Sequence, residues 1–112
     1  MAYSTRHYST KQEKIVAKKV KGKRVSNSGA PLFEAGDVKT DKFCIECKTA
    51  TKAQKSFSIK QEWILKAQEE AFSQGKPYWA LAFNFGGENQ SKNWYIINED
   101  RFKELIAILE DE

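Results

Sequence analysis

Apolar positions along the chain recur in two periods, and each switch between them marks a new element. Val16, Ala17 and Val20 form a sparse stripe at helical spacing, and Thr10-Lys11-Gln12-Glu13 fits a capping box opening a helix that runs to about Gly22. Glu13 falls on the same stripe, so one acid faces inward. Lys23 to Val25 reads as a short strand, and Ser26 to Pro31 as a loop turning at Gly29. Phe43 to Lys48 then alternates with period two: Phe43, Ile45 and Cys47 on one face, Cys44, Glu46 and Lys48 on the other. Gly36 to Lys39 supplies its partner strand across a hairpin turn at Lys39–Lys42.

Thr49 to Phe57 is polar and expected to be loosely held. A second helix starts at a Ser58–Gln61 capping box, stops at Gly75, and lays Trp63, Ile64, Ala67 and Ala71 against the sheet. Tyr78 to Phe85 is apolar throughout, as in a central strand buried on both faces. Gly86-Gly87 breaks it, and Trp94 to Ile97 forms another strand. Asn98 caps a last helix whose inner face is Phe102, Leu105, Ile106 and Leu109. The order is α-β-β-β-α-β-β-α: an α/β fold with a mixed sheet flanked by helices, one domain over 1–112 with 1–9 as a flexible arm.

Length and composition agree with one modest core: 112 residues, 40% hydrophobic and 30% charged. No apolar run approaches the ~20 residues of a membrane span. The opening Met1 to Arg6 has no apolar core of a signal peptide, so a cytoplasmic protein is expected. Cys44 and Cys47 stand three apart, which on a strand turns the thiols to opposite faces and argues against a shared metal or redox role. Charge is uneven. Residues 1–25 hold eight Lys and Arg against Glu13 alone, whereas 99–112 hold six acids against Arg101 and Lys103. One basic face suits a polyanion.

The candidate chemistry lies in the hairpin. Glu46 and Lys48 point the same way, and the turn brings Asp37 beside them. Two carboxylates can clamp a hard divalent cation, and a lysine can orient water or stabilise developing negative charge. Arg24 can pair a phosphate, Ser26 and Ser28 can hydrogen-bond one, and Lys52, Lys55 and Lys60 add positive charge after the strand. Gln61, in the first turn of the second helix, is a further candidate.

The order Asp37, then Glu46-Cys47-Lys48, resembles the motif of the PD-(D/E)XK nuclease superfamily. Lys23 to Gly29, Ser56 to Ile59 and Pro77 to Phe83 resemble segments of small archaeal and phage Holliday junction resolvases, over roughly residues 10–98. The motif departs from the family in having Gly36 where a proline is usual, and Glu34 becomes a rival for the first acid. The resemblance implies a restriction-endonuclease-like core and a Mg²⁺-dependent endonuclease, with Mn²⁺ able to substitute. Asp37, Glu46 and the Cys47 carbonyl would hold the metal, with Glu13 close by and Lys48 as the catalytic lysine. It also implies four-way DNA junctions as substrate, a homodimer, and the host cytoplasm if phage-encoded. A nicking or repair endonuclease, and an inactive DNA-binding module of the same fold, are the alternatives.

Overall fold

Two helices close on opposite faces of a five-stranded sheet, and this sandwich positions everything else. The computed structural model describes residues 5–25 and 37–111, so Ser26, Ser28 and Glu34 lie outside the described residues. The elements are α1 (Thr5–Val20), β1 (Lys23–Arg24), β2 (Val38–Lys39), β3 (Phe43–Thr49), α2 (Gln61–Ser73), β4 (Tyr78–Asn84), β5 (Trp94–Ile96) and α3 (Glu99–Glu110). The strands lie in the order β1-β2-β3-β4-β5. Only β3 and β4 are parallel, from Phe43 opposite Tyr78 to Thr49 opposite Asn84, with α2 as the crossover between them. This is the predicted α/β order.

The alternation in β3 sorts its side chains as predicted. Ile45 and Cys47 pack with Val16, Val38, Ala80 and Ala82 under α1. Cys44 packs with Ala67, Ala71 and Trp79 under α2. Both faces are therefore covered, and Cys44 through Cys47 are all buried. The hairpin closes where expected: Thr40 N–H donates to Phe43 O, and Phe43 N–H to Thr40 Oγ1, each at 3.0 Å. Lys76 Nζ pins the turn from outside, donating to Thr40 O at 2.7 Å and Asp41 O at 3.1 Å.

Both predicted capping boxes are displaced. α1 begins at Thr5, so Thr10 and Glu13 lie inside the helix and residues 5–9 are helical rather than an arm. α2 begins at Gln61 with Lys60 at its cap and no side-chain cap bond. Asn98 does cap α3, accepting from Arg101 N–H at 3.0 Å. The inner face expected for α3 is not covered: Phe102 is 53% exposed, Leu109 70%, and Leu105 and Ile106 are exposed as well. Trp94 on β5 is 58% exposed, whereas Trp79 is buried. Period fixes which residues share a face, and says nothing of whether the same chain supplies a cover.

A polar network runs through the far end of the sheet. Gln12, buried on α1, donates through Nε2 to Lys48 O at 2.8 Å and to Asn93 Oδ1 at 3.0 Å. Asn84, fully buried, accepts from Thr49 Oγ1 at 2.7 Å and from Gly86 N–H at 3.0 Å. The polar segment after β3 is likewise tied, with Gln54 N–H donating to Phe85 O at 2.8 Å.

Gly86 has φ +77°, and a Cβ there would run into the carbonyl oxygens of Lys52 and Ala50. Gly75 ends α2 at φ +67° with open space around it. Gly75→Ala is expected to cost about 1–2 kcal/mol from the left-handed backbone alone. Gly86→Ala should cost distinctly more, because the segment carrying Lys52 must also move. Urea midpoints of the two variants check the order, and equal losses would contradict this packing.

Candidate functional site

Asp37 sits where three strands meet. Its N–H donates to Ile45 O and its carbonyl accepts from Val25 N–H, both at 3.0 Å. Its carboxylate continues the ladder where β2 has not yet begun, accepting from Cys47 N–H at 2.8 Å through Oδ2. Within a strand a residue's N–H and C=O point to the same side, so the Cys47 carbonyl is also turned toward Asp37. Burial raises the Asp37 carboxyl from an ordinary 3.8 to about 6, and the nearby charge of Glu46 pushes the same way.

Glu46, only 3% exposed, points to the α2 face. Its Oε1 accepts from Lys66 Nζ at 3.4 Å, and Lys66 also pairs with Glu70 at 3.7 Å. Burial raises the Glu46 carboxyl; Lys66 opposes this, and Glu70 adds to it. The Oε2 atoms of Glu46 and Glu70 are buried with no donor among the described residues. Two buried acceptors without a donor leave the negative charge on this side of β3 only partly compensated. Lys66 and Glu70 were missed in the sequence, although a signal existed: Lys66 follows Trp63 by three and Glu70 by seven, on the inward stripe of α2.

Glu13 reaches the same region from α1, as its inward position foretold. Burial raises its carboxyl, and the charge of Asp37 raises it further. Arg24 opposes this by donating to Glu13 Oε1 from Nε and Nη2, each at 3.3 Å. Arg24 is thus tied to an acid, with its side chain 37% exposed. The chain matches no protein-family model, no curated protein and no solved structure. What the cluster does is therefore read from its residues.

The lysines around β3 fall into four groups. Lys66 is bound into the acid cluster. Lys48 Nζ lies 4.9 Å from the centre of the Trp63 ring, with Lys60 Nζ 5.8 Å from it, and Lys48 forms no ion pair among the described residues. Its charge still lowers the pKa of both Asp37 and Glu46, so it stands within electrostatic reach of them. Lys52 and Lys55 are exposed on the tied segment, and Gln61 is exposed at the start of α2. At the opposite end of β3, an open groove of about 620 Å³ is lined by Lys21, Lys23, Lys39, Lys42 and Lys76. That groove was not singled out in the sequence, because its lysines come from three separate segments.

Three partly or fully buried acids, each with a raised pKa, surround the point where Asp37 meets β3. Their local counter-charges are Arg24 and Lys66, with Lys48 nearby. Among the described residues no three His, Cys, Asp or Glu side chains converge closely enough to hold a metal on their own. Two carboxylates suffice for Mg²⁺, which keeps several waters and takes substrate phosphate oxygens. The unpartnered Glu46 oxygen and the mutual repulsion of Asp37 and Glu46 fit such a cation.

A carboxyl whose pKa is raised on folding binds its proton more tightly in the folded state. Its stabilising effect is complete below about 3.8 and is lost as pH rises through about 6. Asp37→Asn should therefore raise stability at pH 7 by roughly 1–3 kcal/mol and change little at pH 4. Thermal unfolding at the two pH values checks this. A variant less stable than the parent at pH 7 would show that the Asp37 charge is well compensated.

Proposed function

We propose that this chain is a metal-dependent DNA endonuclease acting on branched DNA, of the Holliday junction resolvase kind that its motif resembles. The single observation that supports it most is the meeting of Asp37 and Glu46 at β3, with excess buried negative charge and a lysine two residues further along. Asp37 and Glu46 would hold Mg²⁺ or Mn²⁺, together with the Cys47 carbonyl. Bound there, the cation would lower the pKa of a coordinated water and polarise a phosphoryl oxygen.

The chain's own groups do the rest. Cys47 N–H holds the Asp37 carboxylate at the end of the ladder. Lys66 orients Glu46 through Oε1 and leaves Oε2 free of a donor. Arg24 fixes Glu13 beside Asp37, so a third acid borders the site without flooding it with charge. Lys48 Nζ would hold the attacking water or meet the charge that develops on the phosphate as the new P–O bond forms and the old one breaks. Binding draws on the outer face of α1, where Lys11, Lys14, Lys18 and Lys19 are exposed, and on the five-lysine groove. Backbone charge read this way favours DNA shape over base sequence.

Asp37→Asn, Glu46→Gln and Lys48→Ala should each lower cleavage by orders of magnitude while junction binding survives. The assay compares four-way junction, flap, mismatched and linear DNA, with and without Mg²⁺. The parent's Tm at pH 7 should also rise with Mg²⁺, and that of Asp37→Asn should not. Retention of a tenth of the parent rate removes a residue from the catalytic set. Equal cutting of linear duplex and junction would replace the resolvase reading with a general nicking enzyme, and binding without cleavage by an inactive module.

One centre cuts one strand, and a junction presents two strands related by a two-fold axis. A homodimer would supply two equivalent centres. Support comes from the uncovered apolar residues of α3 and from the exposed Trp94 and Tyr95 on β5, the last strand in the sheet order. Solution mass should be that of two chains, and Leu105→Glu with Leu109→Glu should reduce it to one. A parent that runs as a monomer at assay concentration would exclude this arrangement.

A further inference from the structure

Beside the acid cluster lies a group of aromatic side chains that the proposed chemistry does not use. Phe57 stacks on Phe83 with ring centres 5.3 Å apart and planes at 26°. Trp63 lies 6.2 Å from Phe57, and Phe85 meets Phe83 edge-on at 5.6 Å. All four rings are only partly buried. They come from the segment after β3, from α2, and from β4 and its end, so the cluster spans three parts of the fold.

Trp63 differs from the other three rings. Its neighbours over the ring are two ammonium groups, Lys48 at 4.9 Å and Lys60 at 5.8 Å. Lys60 is exposed and Lys48 half-buried, so this part of the ring lies under mobile, solvated side chains rather than packed core. Cations over an indole face are held weakly, and a flat aromatic ligand can take their place by stacking. A ring with two lysines at its rim has the parts of a nucleotide site: a stacking surface for the base and positive charge for its phosphate.

Position strengthens this reading. Lys48 follows Glu46 by two residues on the same face of β3, a rise of about 7 Å along the strand. That is the scale of one nucleotide. A strand whose phosphate rests at Glu46 and Asp37 would carry its neighbouring base over Trp63.

We propose that Trp63, framed by Lys48 and Lys60 and backed by Phe57, is a stacking site for one unpaired nucleobase next to the cleaved phosphate. It rests on the nuclease reading and adds to it a reason for choosing branched DNA: bases at a branch point can leave the stack, and those of a continuous duplex cannot do so cheaply. Stacking tolerates any base, so no sequence preference follows from it.

The test places the change in the DNA, so that it does not depend on a variant's folding. Four-way junctions, fluorescein-labelled, carry one abasic position moved stepwise along one strand through the branch point in an otherwise constant sequence. Their affinity for the full chain is read by anisotropy without divalent cation. One register of the abasic position in a junction strand, adjacent to the cleavage point, should weaken binding about ten-fold. Trp63→Leu should lower affinity for the intact junction to that of the abasic one and lose nothing further when the abasic junction is used. Trp63→Phe should recover most of the difference, and both variants should bind a fully paired linear duplex within two-fold of the parent.

Equal binding of intact and abasic DNA by the parent in every register would overturn the stacking site and leave an ordinary aromatic cluster, whatever the cleavage assay shows. Additive losses for Trp63→Leu and the abasic position would overturn it too. Absence of cleavage with the register effect intact would defeat the nuclease reading and leave the stacking site standing.

Discussion

Strand β3 has to carry a carboxylate through the middle of a sheet that helices cover on both faces, and most of the surrounding structure answers that demand. Placing Glu46 there without compensation would cost several kcal/mol. Lys66 reaches in from α2 to one of its oxygens. Asp37 avoids a second penalty by taking the place of a missing ladder partner, so its carboxylate accepts the Cys47 N–H that β2 leaves open. Glu13, the third acid, is held by Arg24. Each compensation is partial, and the raised pKa of all three acids measures what remains. Such a deficit lowers stability, as a buried charge left partly compensated does in any fold.

The same strand divides the labour of the lysines. Those bound to acids, such as Lys66, set the protonation of the cluster. Those over Trp63 are held only by a ring face and are free to exchange partners. The lysines of the groove between α1, the hairpin and Lys76 belong to neither group, and Lys76 among them holds the hairpin turn. The three sets lie in sequence along β3 and its surroundings, from the turn at one end to Trp63 at the other. An extended polyanion lying along that line would meet charge, then chemistry, then an aromatic surface.

Much of this was legible in the sequence, and the failures share a cause. The period-two run of Phe43 to Lys48 and the polar turn before it were enough to place Asp37 beside Glu46 and to separate the two cysteines. The inward acid at Glu13 was visible from its spacing to Val16, Ala17 and Val20. Helix starts were misplaced because Thr10 and Ser58 offer good local caps, whereas α1 already runs from Thr5 and α2 starts only at Gln61, with no side-chain cap bond at Lys60. Lys66 and Glu70 went unseen because their partner is twenty residues away on another element, and an inward-facing ion pair leaves only a faint mark on a helical stripe. The polar network of Gln12, Asn84 and Asn93 is similarly non-local. In α3 the spacing predicts an inner face of Phe102, Leu105, Ile106 and Leu109, and the described residues leave that face exposed.

Cys44 and Cys47 lie on opposite faces of β3, the first beneath α2 and the second beneath α1. Burial pushes the Cys44 thiol up to about 12 and raises Cys47 as well, with the neighbouring acids adding to the effect in both. Since the thiolate is the reactive form, burial and the raised pKa slow alkylation and oxidation of both sulfurs at neutral pH while their helices stay in place. Each thiol becomes fully reactive only when its own cover lifts, and the two covers are different helices. A thiol reagent applied to the native protein would therefore time the loosening of each side of the sandwich separately, two clocks set into one strand.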